Sequence, residues 1–116
     1  LKVLVTGGRY WSDFDHLSST LDKIHSETPI TTVIHGAAIG ADTLAEVWAA
    51  SRKITTEQYP ADWSKYSTKA GPIRNQHMLD IGKPDLVVAF PGGRGTNDMM
   101  SRTKKAGIKL YVAGRD

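Results

Sequence analysis

Seven of the eleven glycines in this 116-residue chain, Gly7, Gly8, Gly36, Gly40, Gly92, Gly93 and Gly95, follow short runs of apolar and β-branched residues. Glycine in that place lets backbone N–H groups approach an anion with no Cβ in the way. A helix starting there adds unpaired donors and the positive end of its dipole. One Gly-Gly after a strand is as readily turn chemistry as a ligand contact. Three such loops at one edge of a parallel sheet would make an anion-binding floor. Arg9, Arg74 and Arg94 fall at or near predicted loops and helix starts, and a planar guanidinium fork suits phosphate. Thr96 offers a hydroxyl and an amide at a helix start, which an anion and an ordinary cap would use alike. The chemistry implied is capture of a phosphate-bearing, nucleotide-like ligand. Neither GxGxxG nor GxxxxGK[ST] is present, so dinucleotide dehydrogenases and P-loop ATPases lose their main support.

Other polar residues read two ways. Asp42 would accept from ribose hydroxyls or, as a first-turn acid, stabilise its own helix. Asn75 would bond a ribose or cap local backbone. His77 lies three residues after Arg74, on the same helix face, which permits a general acid or base role beside the structural role more usual for a lone histidine. His35 ends a strand beside Gly36 and reads as a packed supporting group, while His16 and His25 read as solvated. No histidine has a partner at metal-ligand spacing, so no metal is expected. Tyr10, Trp11 and Trp63 are candidates to stack on a base, with packing preferred for Trp63. Trp48, Met99 and Met100 fit buried helix stripes.

These residues need a frame. With 40% hydrophobic and 23% charged residues the chain suits one globular domain spanning 1–116, and no cysteine is present to staple it. Five apolar runs predict strands: Lys2 to Thr6, Thr31 to His35, Ile54 to Tyr59, Asp85 to Phe90 and Ile108 to Val112. Four segments of helical spacing alternate with them, starting near Ser12, Gly40, Pro72 and Thr96, the first with Ser12 or Asp13 as cap. The fold expected is α/β: a compact Rossmann-like, doubly wound parallel sheet of about five strands in order 3-2-1-4-5, with helices on both faces. Ala61 to Ala70 is the one long irregular stretch and would serve as a flap over the cleft. No run approaches the roughly 18 to 20 apolar residues that span a bilayer, so a cytoplasmic protein with no membrane partner is expected. The net charge of +3 and pI near 9.3 come from scattered basic residues, so nucleic acid is not the expected partner.

Taken together, several motifs resemble the SLOG superfamily, the Rossmann-like domains named for the SMF/DprA and LOG proteins, and most closely its YspA/cpYpsA-related branch. They are Val5-Thr6-Gly7-Gly8-Arg9, His35-Gly36-Ala37-Ala38-Ile39-Gly40-Ala41-Asp42, Ala61-Asp62-Trp63, Gly71-Pro72-Ile73-Arg74-Asn75 and Phe90-Pro91-Gly92-Gly93-Arg94-Gly95-Thr96. The resemblance implies a pocket for nucleotides or nucleotide-derived ligands, often related to ADP-ribose or NAD, lined by those loops, with no cofactor required. It also implies that a homodimer is plausible.

Members of the superfamily differ in activity. LOG enzymes cleave the N-glycosidic bond of a modified adenosine monophosphate, other branches sense a ligand, and DprA binds single-stranded DNA. The LOG signature PGGxGTxxE meets Met99 at its glutamate, and a thioether neither moves a proton nor stabilises an oxocarbenium-like centre by charge. Asp98 is adjacent but rotated by roughly 100° about the helix. The LOG motif Arg-Lys-x-Glu-Met is matched by Arg74-Asn75-Gln76-His77-Met78, with His77 at the acid. The expectation is a ligand-binding or sensor domain. The alternatives are a nucleoside 5′-monophosphate phosphoribohydrolase using His77 or Asp98, and DprA-like binding of single-stranded DNA.

Overall fold

Two inner strands, β1 (Lys2–Thr6) and β4 (Leu86–Ala89), are apolar at nearly every position, the composition of strands covered on both faces. The computed structural model describes residues 1–114. It adds β2 (Thr32–His35), β3 (Thr55–Gln58) and β5 (Lys109–Val112), and all five strands form one parallel sheet in the order β3-β2-β1-β4-β5. Each strand lies within one residue of its predicted bounds at either end. The polar sequence Thr-Thr-Glu-Gln and the mixed sequence Lys-Leu-Tyr-Val, both partly exposed, fall on the two edges.

Alternation along the strands separates two cores. Val3, Val5, Val33 and Val88 pack with Leu17 and Leu21 of α1 (Phe14–Glu27) and with Ala45, Trp48 and Ala49 of α2 (Ala41–Ser51). Leu4, Ile34 and Val87 point the other way, onto Met78 and Leu79 of α4 (Ala70–Asp80) and Met99 of α5 (Arg94–Lys105). Trp48 is fully buried, as expected, and its Nε1 donates to Asp22 Oδ1 at 3.0 Å. No helix among the described residues is long and apolar enough to cross a membrane.

Three expectations need correction. The stretch from Ala61 to Ala70 is not irregular. Asp62 Oδ1 accepts from Ser64 Oγ at 2.8 Å and from Lys65 N–H at 3.1 Å, which caps a one-turn helix, α3 (Trp63–Tyr66). A 3₁₀ turn over Ser67–Lys69 then runs into α4. Two helices start earlier than predicted: α4 at Ala70, with Pro72 inside its first turn, and α5 at Arg94, with Gly93 as its cap. His16 and His25 are not solvated. His16 Nε2 lies 3.0 Å from the Ala113 carbonyl, and His25 Nδ1 accepts from Ile30 N–H at 2.9 Å while its ring meets Trp48 edge-on.

Candidate functional site

Between β1 and β4 the strand order reverses while the strands stay parallel: the crossovers after β1 run to the α1–α2 face and those around β4 to the α4–α5 face. A gap must open at the strands' carboxyl ends. The cleft there has a volume of about 1120 Å³. Gly7, Gly8, Arg9, Tyr10 and Trp11 form one wall, while Trp63, Thr68, Gly71 and Pro72 form another. Pro91 through Thr96 line it after β4, and Ala38, Asp42, Arg74, Asn75 and Asp98 also border it.

The three glycine loops do meet, but they do not serve alike. The Gly8 amide donates to the Pro91 carbonyl at 2.9 Å, and the Gly8 carbonyl accepts from Ala41 N–H at 3.2 Å. Asp42 Oδ2 takes both Gly36 N–H at 3.1 Å and Ala38 N–H at 3.2 Å, and Ala37 N–H goes to His35 Nδ1 at 3.0 Å. A common anion floor built from all three loops is therefore corrected: the amides of Gly8, Gly36, Ala37, Ala38 and Ala41 already have protein acceptors. Gly36, Ala37, Gly40 and Ala41 do not border the cleft. They lock loops together instead. A Cβ on Gly40, whose φ is +85°, would strike the Gly8 carbonyl and the Arg9 backbone, and one on Gly36 would strike the Arg74 guanidinium. The β4–α5 loop keeps the longest run of amides, from Gly92 to Thr96, without protein acceptors among the described residues. These amides open α5, and Gly93 caps it without a side chain.

Side chains beneath this loop hold it in place. Buried Asn75 donates from Nδ2 to the Gly95 carbonyl at 3.2 Å and to Asp98 Oδ2 at 3.0 Å. Asp98 also accepts from Arg102 Nε at 2.9 Å, so its carboxylate is already paired. Arg74 Nη1 donates to the Gly36 carbonyl at 2.7 Å and Nε to Asn75 Oδ1 at 3.0 Å, leaving Nη2 without a partner among the described residues. Burial pulls the Arg74 pKa down, opposed by the Asp42 charge. Burial likewise pushes the Asp42 carboxyl above its ordinary range, against the pull of the Ala38 amide, His35, Arg74 and the Gly36 amide. Arg9 and Arg94 are exposed at the cleft. Thr96 is buried, with its hydroxyl against Gly92.

His77 is not brought to the site. It is exposed and does not border the cleft, although Arg74 on the same helix does. Met99, at the LOG glutamate, is wholly buried in the α4–α5 core. His35 is a supporting group: accepting Ala37 N–H at Nδ1 puts its proton on Nε2, which donates to Glu46 Oε1 at 2.7 Å. That bond is the largest influence holding the Glu46 pKa down, and Gln58 and Thr56 assist. Glu46 sits on α2 and its donors on β2 and β3, so the trio has no sequence signature. Packing for Trp63 is also corrected: the side chain is 55% exposed and borders the cleft. Its polar neighbours Asp62, Ser64 and Lys65 were the available signal. Trp11 instead stacks on Phe90, with ring centroids 5.9 Å apart and planes at 25°.

Known proteins agree with this architecture. Over 96% of this chain, DNA processing protein A (DprA) from Streptococcus pneumoniae superposes with a TM-score of 0.72 at 19% identity, and MurG from Acinetobacter baumannii with 0.60 at 11%. The chain spans 49% of the former and 34% of the latter, and at such identities the likeness is one of fold. In sequence, the Gene 61 protein of Mycobacterium phage D29 is 39% identical, covering 97% of this chain and 96% of that protein. The profile of the YspA, cpYpsA-related SLOG family matches residues 1–66. The glycine loops around the cleft thus sit on a SLOG fold, and the chain belongs to the YspA, cpYpsA-related SLOG family.

Proposed function

We infer that the cleft binds a nucleotide or nucleotide-derived ligand of the AMP, ADP-ribose or NAD type, as a sensor or ligand-binding domain. The observation that carries the reading is the run of amides from Gly92 to Thr96 at the start of α5 that have no acceptor among the described residues, with Arg94 on the loop and Arg9 on the adjoining β1–α1 loop. A phosphate placed there receives several N–H donors, the positive helix end and a guanidinium. The volume of about 1120 Å³ leaves space beyond the phosphate for ribose and base.

Calorimetry with AMP, ADP-ribose and NAD tests it. At least one should bind, and Arg94→Ala should weaken that binding by on the order of tenfold, the loss of one charge-assisted bond. No heat with any of the three, or equal affinity in wild type and Arg94→Ala, overturns the reading. Release of free base from AMP would move the protein to the phosphoribohydrolase class, and a shift of labelled single-stranded DNA without nucleotide binding to the DNA-binding one.

A further inference from the structure

We propose that Trp63 is the platform on which the ligand's base stacks, so that the cleft selects phosphate-bearing ligands that also carry a planar heteroaromatic ring. The proposal rests on the nucleotide reading above and adds to it the residue that discriminates. An indole is one of the largest apolar groups a protein has, and leaving it more than half in water forfeits much of its burial energy. Nothing in the packing of the fold accounts for that position. No residue of α3 is buried, and Trp63 belongs to neither hydrophobic core.

The ring is nevertheless held. Asp62 caps the helical turn that carries it, and beneath it lies Gly71, where even a Cβ would stand only 3.5 Å from Cη2. The ring therefore sits against the first turn of α4 at the cleft wall, and a base stacking on it would meet a side chain that already has a neighbour on its other side. The other two aromatic groups in the cleft lack this combination. Trp11 is engaged with Phe90 and edge-on with His16. Tyr10 is 88% exposed on its loop, with no aromatic ring stacked against it among the described residues.

The test compares AMP with ribose 5-phosphate, which shares its phosphate and sugar and lacks the base, on wild type, Trp63→Ala, Trp63→Leu and Trp63→Phe. Calorimetry should show wild type binding AMP more tightly than ribose 5-phosphate. Trp63→Ala and Trp63→Leu should weaken AMP by roughly 5- to 150-fold, the measured range for base–aromatic stacking, and leave ribose 5-phosphate unchanged. Trp63→Phe should retain most of the AMP affinity. Equal losses for both ligands would give Trp63 a wall-building role and overturn the proposal. So would unchanged AMP binding in Trp63→Ala, which would leave the nucleotide reading standing. Wild type that binds neither ligand removes both readings together. Urea midpoints of the three variants matching wild type establish that the comparison is made on folded protein.

Discussion

One oxygen of Asp42 accepts from two amides of the β2–α2 loop, and the burial of its carboxyl makes the stability of the fold depend on pH. With its folded pKa above the ordinary 3.8, the folded state holds this proton more tightly than the unfolded chain does. Its favourable contribution is therefore complete below that value and is lost as pH rises through the folded one. Asp42→Asn keeps an acceptor oxygen and removes the titration. The urea midpoint of this variant should gain on wild type as pH climbs through that window, and a constant offset would show that the group holds its proton equally in the folded and unfolded chain. Asp42→Ala leaves both amides without their acceptor and should cost about 2–4 kcal/mol at neutral pH by the same measurement. Glu46 runs the other way. Its pKa is held below the ordinary 4.5 by His35, so its contribution is present above 4.5 and disappears as pH falls through the folded value. Glu46→Gln should accordingly flatten the acid limb of the stability profile. Single residues of this kind were only half legible in the sequence. Asp42 sits at the start of α2, yet the amides it accepts come from the loop before it, and nothing in its spacing told loop anchor from ribose acceptor.

Between elements, the glycines divide into those that join two loops and those that border a cavity. Gly40 and Gly93 look identical in sequence, each following a strand and preceding a helix. Gly40 has φ +85° and ψ −129°, and its Cα faces the Gly8 carbonyl and the Arg9 backbone. Any side chain there is strained as well as blocked. Gly93 has φ −103° and nothing within 4 Å of a Cβ. Gly40→Ala should therefore destabilise by more than about 3 kcal/mol, whereas Gly93→Ala should stay within about 1 kcal/mol, both read from urea midpoints. Comparable losses would mean that loop packing does not distinguish them. The strands and the order of helices were legible because an apolar period of two or of 3.6 residues is a local property. Helix α3 was not, since a single turn is too short to show a period and only its cap, Asp62, announces it.

Across the whole molecule, the topology follows from alternating strand and helix patterns, but charge is distributed in a way that composition hides. Residues 1–58 carry five Lys/Arg and seven Asp/Glu, and residues 59–116 carry ten and five. The sheet separates the two sets of helices: α1 and α2 lie on one core, and α4 and α5, including basic Arg94, Arg102, Lys104 and Lys105, on the other. A modest net charge of +3 thus conceals a polarised molecule, and the question is whether the basic side as a whole or only its nearest groups would draw an anion into the cleft. Distance decides it. At about 1.5 Å per residue, Lys104 and Lys105 lie some 15 Å along α5 from Arg94, while the Debye length is roughly 8 Å at physiological ionic strength and 30 Å at 0.01 M. At about 0.15 M salt, the double variant Lys104→Ala, Lys105→Ala should change AMP affinity by less than about twofold, because its charges are screened from the β4–α5 loop. At about 0.01 M the same variant should bind measurably more weakly than wild type. Arg94→Ala should weaken binding at both ionic strengths, since its guanidinium lies within the screening distance of an anion on the loop. Calorimetry of the two variants at both salt concentrations separates these effects, and a large effect of the lysine pair at 0.15 M would place the anion elsewhere than at the start of α5.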